Sequence, residues 1–156
     1  MHWRRNLTWL EIGIYAAGVG VVLAVFLERA LYYMELAERT VMEVTVSNVN
    51  SALNVRRAYD MLAGRPTNAT NVVPLNPFEL AGMSPANFLG ETDSPSLADL
   101  ERGHWVFDRT RRELIYLPRL RRGLATSDPD GAIRFKLEPR GSTISALVPT
   151  LKYVWN

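Results

Sequence analysis

The 156-residue sequence contains no cysteine. That excludes thiolate metal sites, a cysteine nucleophile and disulfides, and it leaves the redox compartment open. Histidine is nearly absent too, with only His2 and His104. There is no Ser-His-Asp arrangement, no His-Glu-x-x-His motif, no phosphate-binding glycine loop and no dinucleotide fingerprint. An enzyme is therefore not expected. His104 precedes Trp105 at the start of an apolar run and reads as structural. The net charge is only +2, too small a bias to predict nucleic-acid binding.

Charge is missing altogether from Ile12 to Leu27, IGIYAAGVGVVLAVFL. With the residues before it, the apolar stretch runs from Leu7 to Leu27 and is interrupted only by Glu11. As a helix it spans roughly 31 Å, matching the ~30 Å core of a bilayer. Arg4 and Arg5 precede it, and Glu28 and Arg29 mark its far end. The positive-inside tendency places the N-terminus in the cytoplasm and the rest outside. A cleaved secretory signal is disfavoured, because the run is long and no Ala-x-Ala site follows. A buried core helix or a plain anchor fits the apolar run but not Glu11. A charged side chain at the centre of a membrane helix costs about 2.5–3.5 kcal/mol on insertion scales. Near the start the cost is smaller, and the carboxylate either reaches the interface, is protonated or meets a positive group.

Leu7-Thr8-Trp9-Leu10-Glu11, preceded by Arg4-Arg5 and followed by the apolar run, resembles the processing region of type IV prepilins. Those proteins have a short basic leader, a hydrophobic first mature residue, commonly a Thr after it, and a Glu at the fifth position. The resemblance implies cleavage between Asn6 and Leu7, at a position where the family usually has glycine. It makes Leu7 the first mature residue and Glu11 the fifth, with Thr8 and Glu11 serving assembly. Gly20 falls where the family has a helix glycine. Glu28 falls where the family has a kinking proline, so no kink is expected. In the family the Glu of an incoming subunit is thought to pair with the N-terminal amine of a subunit already in the filament. A carboxylate paired with an ammonium avoids the cost of burying an isolated charge.

Beyond Glu28 no glycine or proline occurs until Gly64. Met42, Val46, Val49 and Leu53 recur at helical spacing and predict one buried stripe. Gly64-Arg65-Pro66 predicts the stop. A helix from Leu7 to Leu62 measures about 84 Å, its first half in lipid and its second half on a globular part. Residues 64–103 carry Pro66, Pro74, Pro77, Pro85 and Pro95 and read as loop, with a helical turn beginning at Asn76–Ala81. Asn87–Glu91 resembles a segment preceding the first hairpin of pilin-like proteins. Trp105–Phe107 and Leu114–Leu117, around a polar turn, predict a β-hairpin. Ile133, Phe135 and Leu137 alternate with Arg134, Lys136 and Glu138, the pattern of a half-buried strand. Leu151, Tyr153 and Trp155 alternate again, in a strand that lies at an edge or starts after Pro149.

The expectation is an α+β, pilin-like fold, with a long N-terminal helix packed on an antiparallel sheet of about four strands. Its parts are a basic leader (1–6), a transmembrane helix (7–27), an extracytoplasmic helix (28–63), a loop region (64–103) and a sheet region (104–156). Arg109, Arg111 and Arg112 lie in a basic cluster around the hairpin. The cluster reads as a solvated face; the sharper alternative is that these arginines dock on an acidic helix face (Glu28, Glu35, Glu38, Glu43) of another subunit. Asp128-Pro129-Asp130-Gly131 reads as a β-turn. Asp128 and Asp130 are also weak calcium candidates, though the EF-hand pattern is absent. No other cofactor is expected.

The resemblance implies a subunit of a type II secretion pseudopilus or type IV pilus in the bacterial inner membrane. Its partners would be other pilin-like subunits, the assembly platform and the prepilin peptidase. The alternative is an uncleaved single-pass scaffold or binding protein of the cell envelope.

Overall fold

The computed structural model describes residues 8–64, 76–140 and 143–156. The expected leader and the Asn6–Leu7 processing position lie outside the described residues. The chain divides into two compact units, Met1–Met34 and Glu35–Asn156. One helix, α1 (Trp9–Leu62), contributes to both. It is the single long N-terminal helix expected.

In the first unit every large apolar side chain from Trp9 to Leu27 is exposed, with Val22 at 67% and Phe26 at 70%. Side chains that are apolar around the whole helix circumference require lipid or other helices rather than water. The helix is long and apolar enough to cross a membrane, and is compatible with a single-pass protein.

In the second unit α1 packs on a sheet. Met42, Val49 and Leu53 are buried and Val46 packs against the same cluster, so the expected stripe forms. Glu35 is buried on that stripe as well, one heptad before Met42. A short helix α2 (Pro77–Leu80) follows. The Asn76 side chain caps it by accepting from Phe78 N–H at 2.9 Å, and proline occupies its first turn, where a missing N–H costs nothing. The expected turn at 76–81 is therefore present.

Among the described residues seven strands form two sheets. They are β1 (Phe88–Thr92), β2 (His104–Asp108), β3 (Glu113–Leu117), β4 (Leu124–Thr126), β5 (Ile133–Arg140), β6 (Thr143–Pro149) and β7 (Tyr153–Trp155). The larger sheet has the order β1-β2-β3-β5-β6, and β4 pairs with β7 in a separate ribbon. The predicted hairpin is β2–β3, with Trp105 opposite Tyr116 and Phe107 opposite Leu114. Three points differ from expectation. The stretch read as loop contains β1, which pairs with β2 in parallel. Gly90, at φ +103°, stands in a register shift between Phe88 and Glu91, a conformation that suits glycine. The strand β6 was not foreseen. The C-terminal strand starts after Pro149, as expected, but leaves Leu151 outside and joins β4 rather than the main sheet.

The sheet is covered on both faces. One face meets α1 and α2 through Trp105, Phe107, Leu114, Tyr116, Phe135 and Leu147. The other carries Val106, Ile115, Leu117 and Ala132, covered by Leu97 and Leu100 from the segment between β1 and β2. This double cover buries β3 throughout. It also corrects the half-buried reading of β5 at Arg134, which is itself buried, while Lys136 and Glu138 remain partly exposed and exposed as expected. At the outer edge of β6, Asn50 of α1 donates to Leu147 O at 3.3 Å and accepts from Leu147 N–H at 2.7 Å. An amide side chain thus stands in for a further strand at that position, which blunts an otherwise open edge.

Candidate functional site

The start of α1 is a capping box. Thr8 is the residue before the first helical turn and Glu11 is three residues on. Glu11 Oε2 accepts from Thr8 N–H at 2.9 Å and from Thr8 Oγ1 at 3.1 Å, while Thr8 Oγ1 accepts from Glu11 N–H at 3.4 Å. Such reciprocal bonds satisfy amides left over at a helix start. The carboxylate also faces the positive end of the helix dipole. Glu11, the anomaly of the apolar run, therefore has partners inside its own chain. The Thr-x-x-Glu signal for this was present in the sequence.

Small residues recur along the same segment at Gly13, Ala17, Gly20 and Ala24. A methyl group added at Gly13, Gly18 or Gly20 would meet nothing within 4 Å. Nothing in this chain requires glycine there, and glycine inside a helix costs about 1 kcal/mol relative to alanine. Small residues at this spacing let a second membrane helix approach closely.

The acidic residues of α1 beyond the apolar run are not an open face. Glu35 Oε1 accepts from Gly123 N–H and from Trp155 Nε1–H, each at 2.9 Å. Glu38 accepts from Tyr116 OH at 2.9 Å, Arg119 N–H at 2.7 Å and Leu120 N–H at 3.2 Å. Glu43 pairs with Arg39 at 2.8 Å. The expected landing face for hairpin arginines is thus used up at three of its four positions. Its physical task is to satisfy backbone amides of the Pro118–Gly123 segment and fasten it to α1. Arg56 does the same at the end of α2, donating to Leu80 O at 3.0 Å.

Arg109, Arg111 and Arg112 all lie at the exposed β2–β3 turn. Arg109 pairs with Asp93 at 3.2 Å. The turn is held by Asp108, 1% exposed, whose Oδ1 accepts from the backbone of Ser94, Thr110 and Arg111. Arg112 takes a left-handed conformation at φ +56°. The sequence places Asp108 at the start of the polar turn, where Asp is a recognised signal, but not its burial.

Asp128 and Asp130 sit in the expected turn, closed by Gly131 N–H donating to Asp128 O at 3.1 Å. Their carboxylates do not open toward a cation site. Both engage Arg134, whose Nε donates to Asp128 Oδ2 and whose Nη2 lies 3.3 Å from Asp130 Oδ2. Asp128 Oδ1 accepts from the backbone of Asp130 and Ala132. Glu113 completes the cluster at 3.6 Å from Arg134 and 3.2 Å from Lys136. Among the described residues no group of three metal-ligating side chains occurs. Burial pushes the Arg134 guanidinium down, but the bond and charge of Asp128, with Glu113 and Asp130, outweigh it and hold Arg134 above its ordinary value.

No family model, curated protein or solved structure matches this chain. The functional reading therefore rests on the helix, its glycines and the fastened sheet.

Tyr116 supplies a pH test of the fastening. Burial, then its bond to Glu38, pushes its phenol well above the ordinary range. Tyr153 is raised too, by burial and then by Glu43. In the unfolded chain both phenols ionise near about pH 10. Above that pH the folded state retains protons that the unfolded state loses, so stability is full below pH 10 and falls as pH rises beyond it. Urea unfolding at stepped alkaline pH should record this fall, and Tyr116→Phe should make it shallower. An equal slope in both proteins would contradict the assignment.

Proposed function

We propose that this chain is a pilin-like subunit of a type II secretion pseudopilus or type IV pilus, held in the bacterial inner membrane with its Glu35–Asn156 unit outside the cytoplasm. The observation that carries the reading is α1. It is a continuous helix from Trp9 to Leu62, apolar on all sides at first and part of a sheet's core later. Its small-residue line at Gly13, Ala17, Gly20 and Ala24 suits helix–helix packing. On the side away from the sheet, Ala37, Thr40, Val44, Ser51, Val55 and Ala58 are exposed and carry no charge. A solvated helix face ordinarily bears charge. This one suits a neighbouring helix. The work is mechanical, and no chemistry is assigned to the fold. Its partners are other pilin-like subunits, the assembly platform and the prepilin peptidase.

One observation favours the second reading, an uncleaved envelope scaffold. Glu11 is satisfied by Thr8 and so does not need an amine from another subunit to offset its charge. The intact mass and N-terminal sequence of protein recovered from native membranes separate the two. The pilin reading expects a mature start at Leu7. It further expects Glu11→Ala to abolish filament incorporation while leaving the mature subunit in the membrane. A start at Met1 with Glu11→Ala unaffected in its complexes supports the scaffold instead.

A further inference from the structure

Four arginines, Arg102, Arg119, Arg121 and Arg122, crowd the segment joining β3 to β4, and all are exposed. Three are held in place by backbone carbonyls rather than by carboxylates. Arg119 Nε donates to Arg102 O at 3.1 Å, Arg102 Nη1 to Pro118 O at 3.3 Å and Arg121 Nη1 to Asp130 O at 3.2 Å. Two of them lie in slots made by glycines in the left-handed region. A Cβ on Gly103, at φ +83°, would collide with the Arg119 side chain, and one on Gly131, at φ +67°, would collide with the Arg121 guanidinium. The cations are thus positioned by the fold.

Their acidic neighbours are already engaged. The Asp130 carboxylate is bound by Arg134. The Glu38 carboxylate accepts three hydrogen bonds, and Glu35 is buried against Gly123 and Trp155. Glu101 adds one exposed acid beside Arg102. Among the described residues none of the four guanidiniums forms an ion pair. A group of exposed cations outside any ion pair, three of them positioned by the fold, can recognise anions, and guanidinium groups match phosphate oxygens in particular.

The sequence indicates which anion is near. The segment is fastened to Glu35 and Glu38, which follow Leu27, the end of the uncharged run, by only eight and eleven positions. Eight residues of helix rise about 12 Å. The polar layer of a bilayer adds about 5–8 Å beyond the hydrocarbon on each side. We propose that the Pro118–Gly123 loop docks on anionic phospholipid headgroups through Arg119, Arg121 and Arg122, with Arg102 beside them. The docking rests on membrane insertion of α1 and is independent of filament assembly. It would fix how the folded unit stands over the membrane before any partner arrives.

The absence of cysteine makes the test clean. Ser127 is exposed, and its neighbours Thr126 and Asp128 line the same shallow depression as Arg121. The full chain carrying Ser127→Cys is labelled with a fluorophore and reconstituted in vesicles whose headgroups carry a nitroxide quencher. Resistance to alkaline carbonate extraction reports insertion separately. Quenching should be stronger in vesicles containing phosphatidylglycerol than in phosphatidylcholine alone, and should fall at high salt. Each Arg→Gln substitution at positions 119, 121 and 122 should lower the docked-to-undocked ratio about fivefold. The pair Arg111→Gln and Arg112→Gln should leave it unchanged. Circular dichroism confirms that each variant is folded. Equal quenching in the two lipids, or quenching untouched by the three substitutions in an inserted and folded protein, overturns the proposal and leaves an acidic protein surface as the partner.

Discussion

Replacing Trp105 with alanine is expected to destabilise the Glu35–Asn156 unit by about 3–5 kcal/mol, the range for deleting a fully buried aromatic side chain. Trp105 is 1% exposed. Its ring lies 4.7 Å from Tyr116, 5.5 Å from Phe78 and 5.8 Å from Phe135. It therefore touches α2, β3 and β5 from its place on β2. The loss combines the removed apolar area with the cavity left behind, because three flanking rings cannot all relax into the gap. Urea unfolding of the full chain in detergent, followed by near-ultraviolet circular dichroism, measures it. Leu89→Ala is the control, since Leu89 is 47% exposed and should change stability by less than about 0.5 kcal/mol. Similar losses for the two variants would show that the core is not centred on Trp105.

The second large effect belongs to Arg134. Arg134→Met should also cost about 3–5 kcal/mol, for a different reason. Methionine fills much of the volume but removes the charge. Asp128 and Glu113, with side chains 2% and 8% exposed, are then left in the protein without their guanidinium. Breaking a buried ion pair by removing one partner leaves an uncompensated charge, which is what makes it costly. Arg134→Lys should recover only part of the stability, because one ammonium cannot serve three carboxylates in the fork geometry of arginine. Lys136→Met is the comparison, since Lys136 meets the same Glu113 from a side chain that is 45% exposed. If Arg134→Met and Lys136→Met proved equally mild, the cluster would be a solvated one and the buried reading would fail.

Where local pattern and final environment agree, the sequence was readable. Met42, Val46, Val49 and Leu53 form a helical stripe because one face of α1 meets one continuous surface. Trp105–Phe107 and Leu114–Leu117 announce their hairpin because the two strands are neighbours in the chain and joined by a short polar turn. What was not readable depends on distant chain. The strand Phe88–Thr92 sits in proline-rich sequence with a left-handed glycine inside it, and becomes a strand only by pairing with β2. Arg134 alternates with apolar residues like any solvent-facing strand residue. The burial of that second face comes from Leu97 and Leu100, which no local pattern assigns to it. Glu35 and Glu38 read as an acidic face open to another subunit, because their partners are backbone amides, a phenol and an indole far along the chain. At the N-terminus the limit was different. Thr8 and Glu11 satisfy a local capping rule, but the charge of Glu11 within an apolar run drew attention to an external partner instead.

The bond from Trp155 Nε1 to Glu35 joins residues 120 positions apart. Synthesis from the N-terminal end presents Glu35 early and Trp155 after the other strands described. During that interval Met42, Val49 and Leu53 have no complete covering, and the buried carboxylate has no indole to bind. Long-range closure of this kind is slow, and open seams invite wrong contacts. The fold thus has a built-in order of completion. A chain halted anywhere before Trp155 would leave Glu35 without its indole and the α1 stripe incompletely covered.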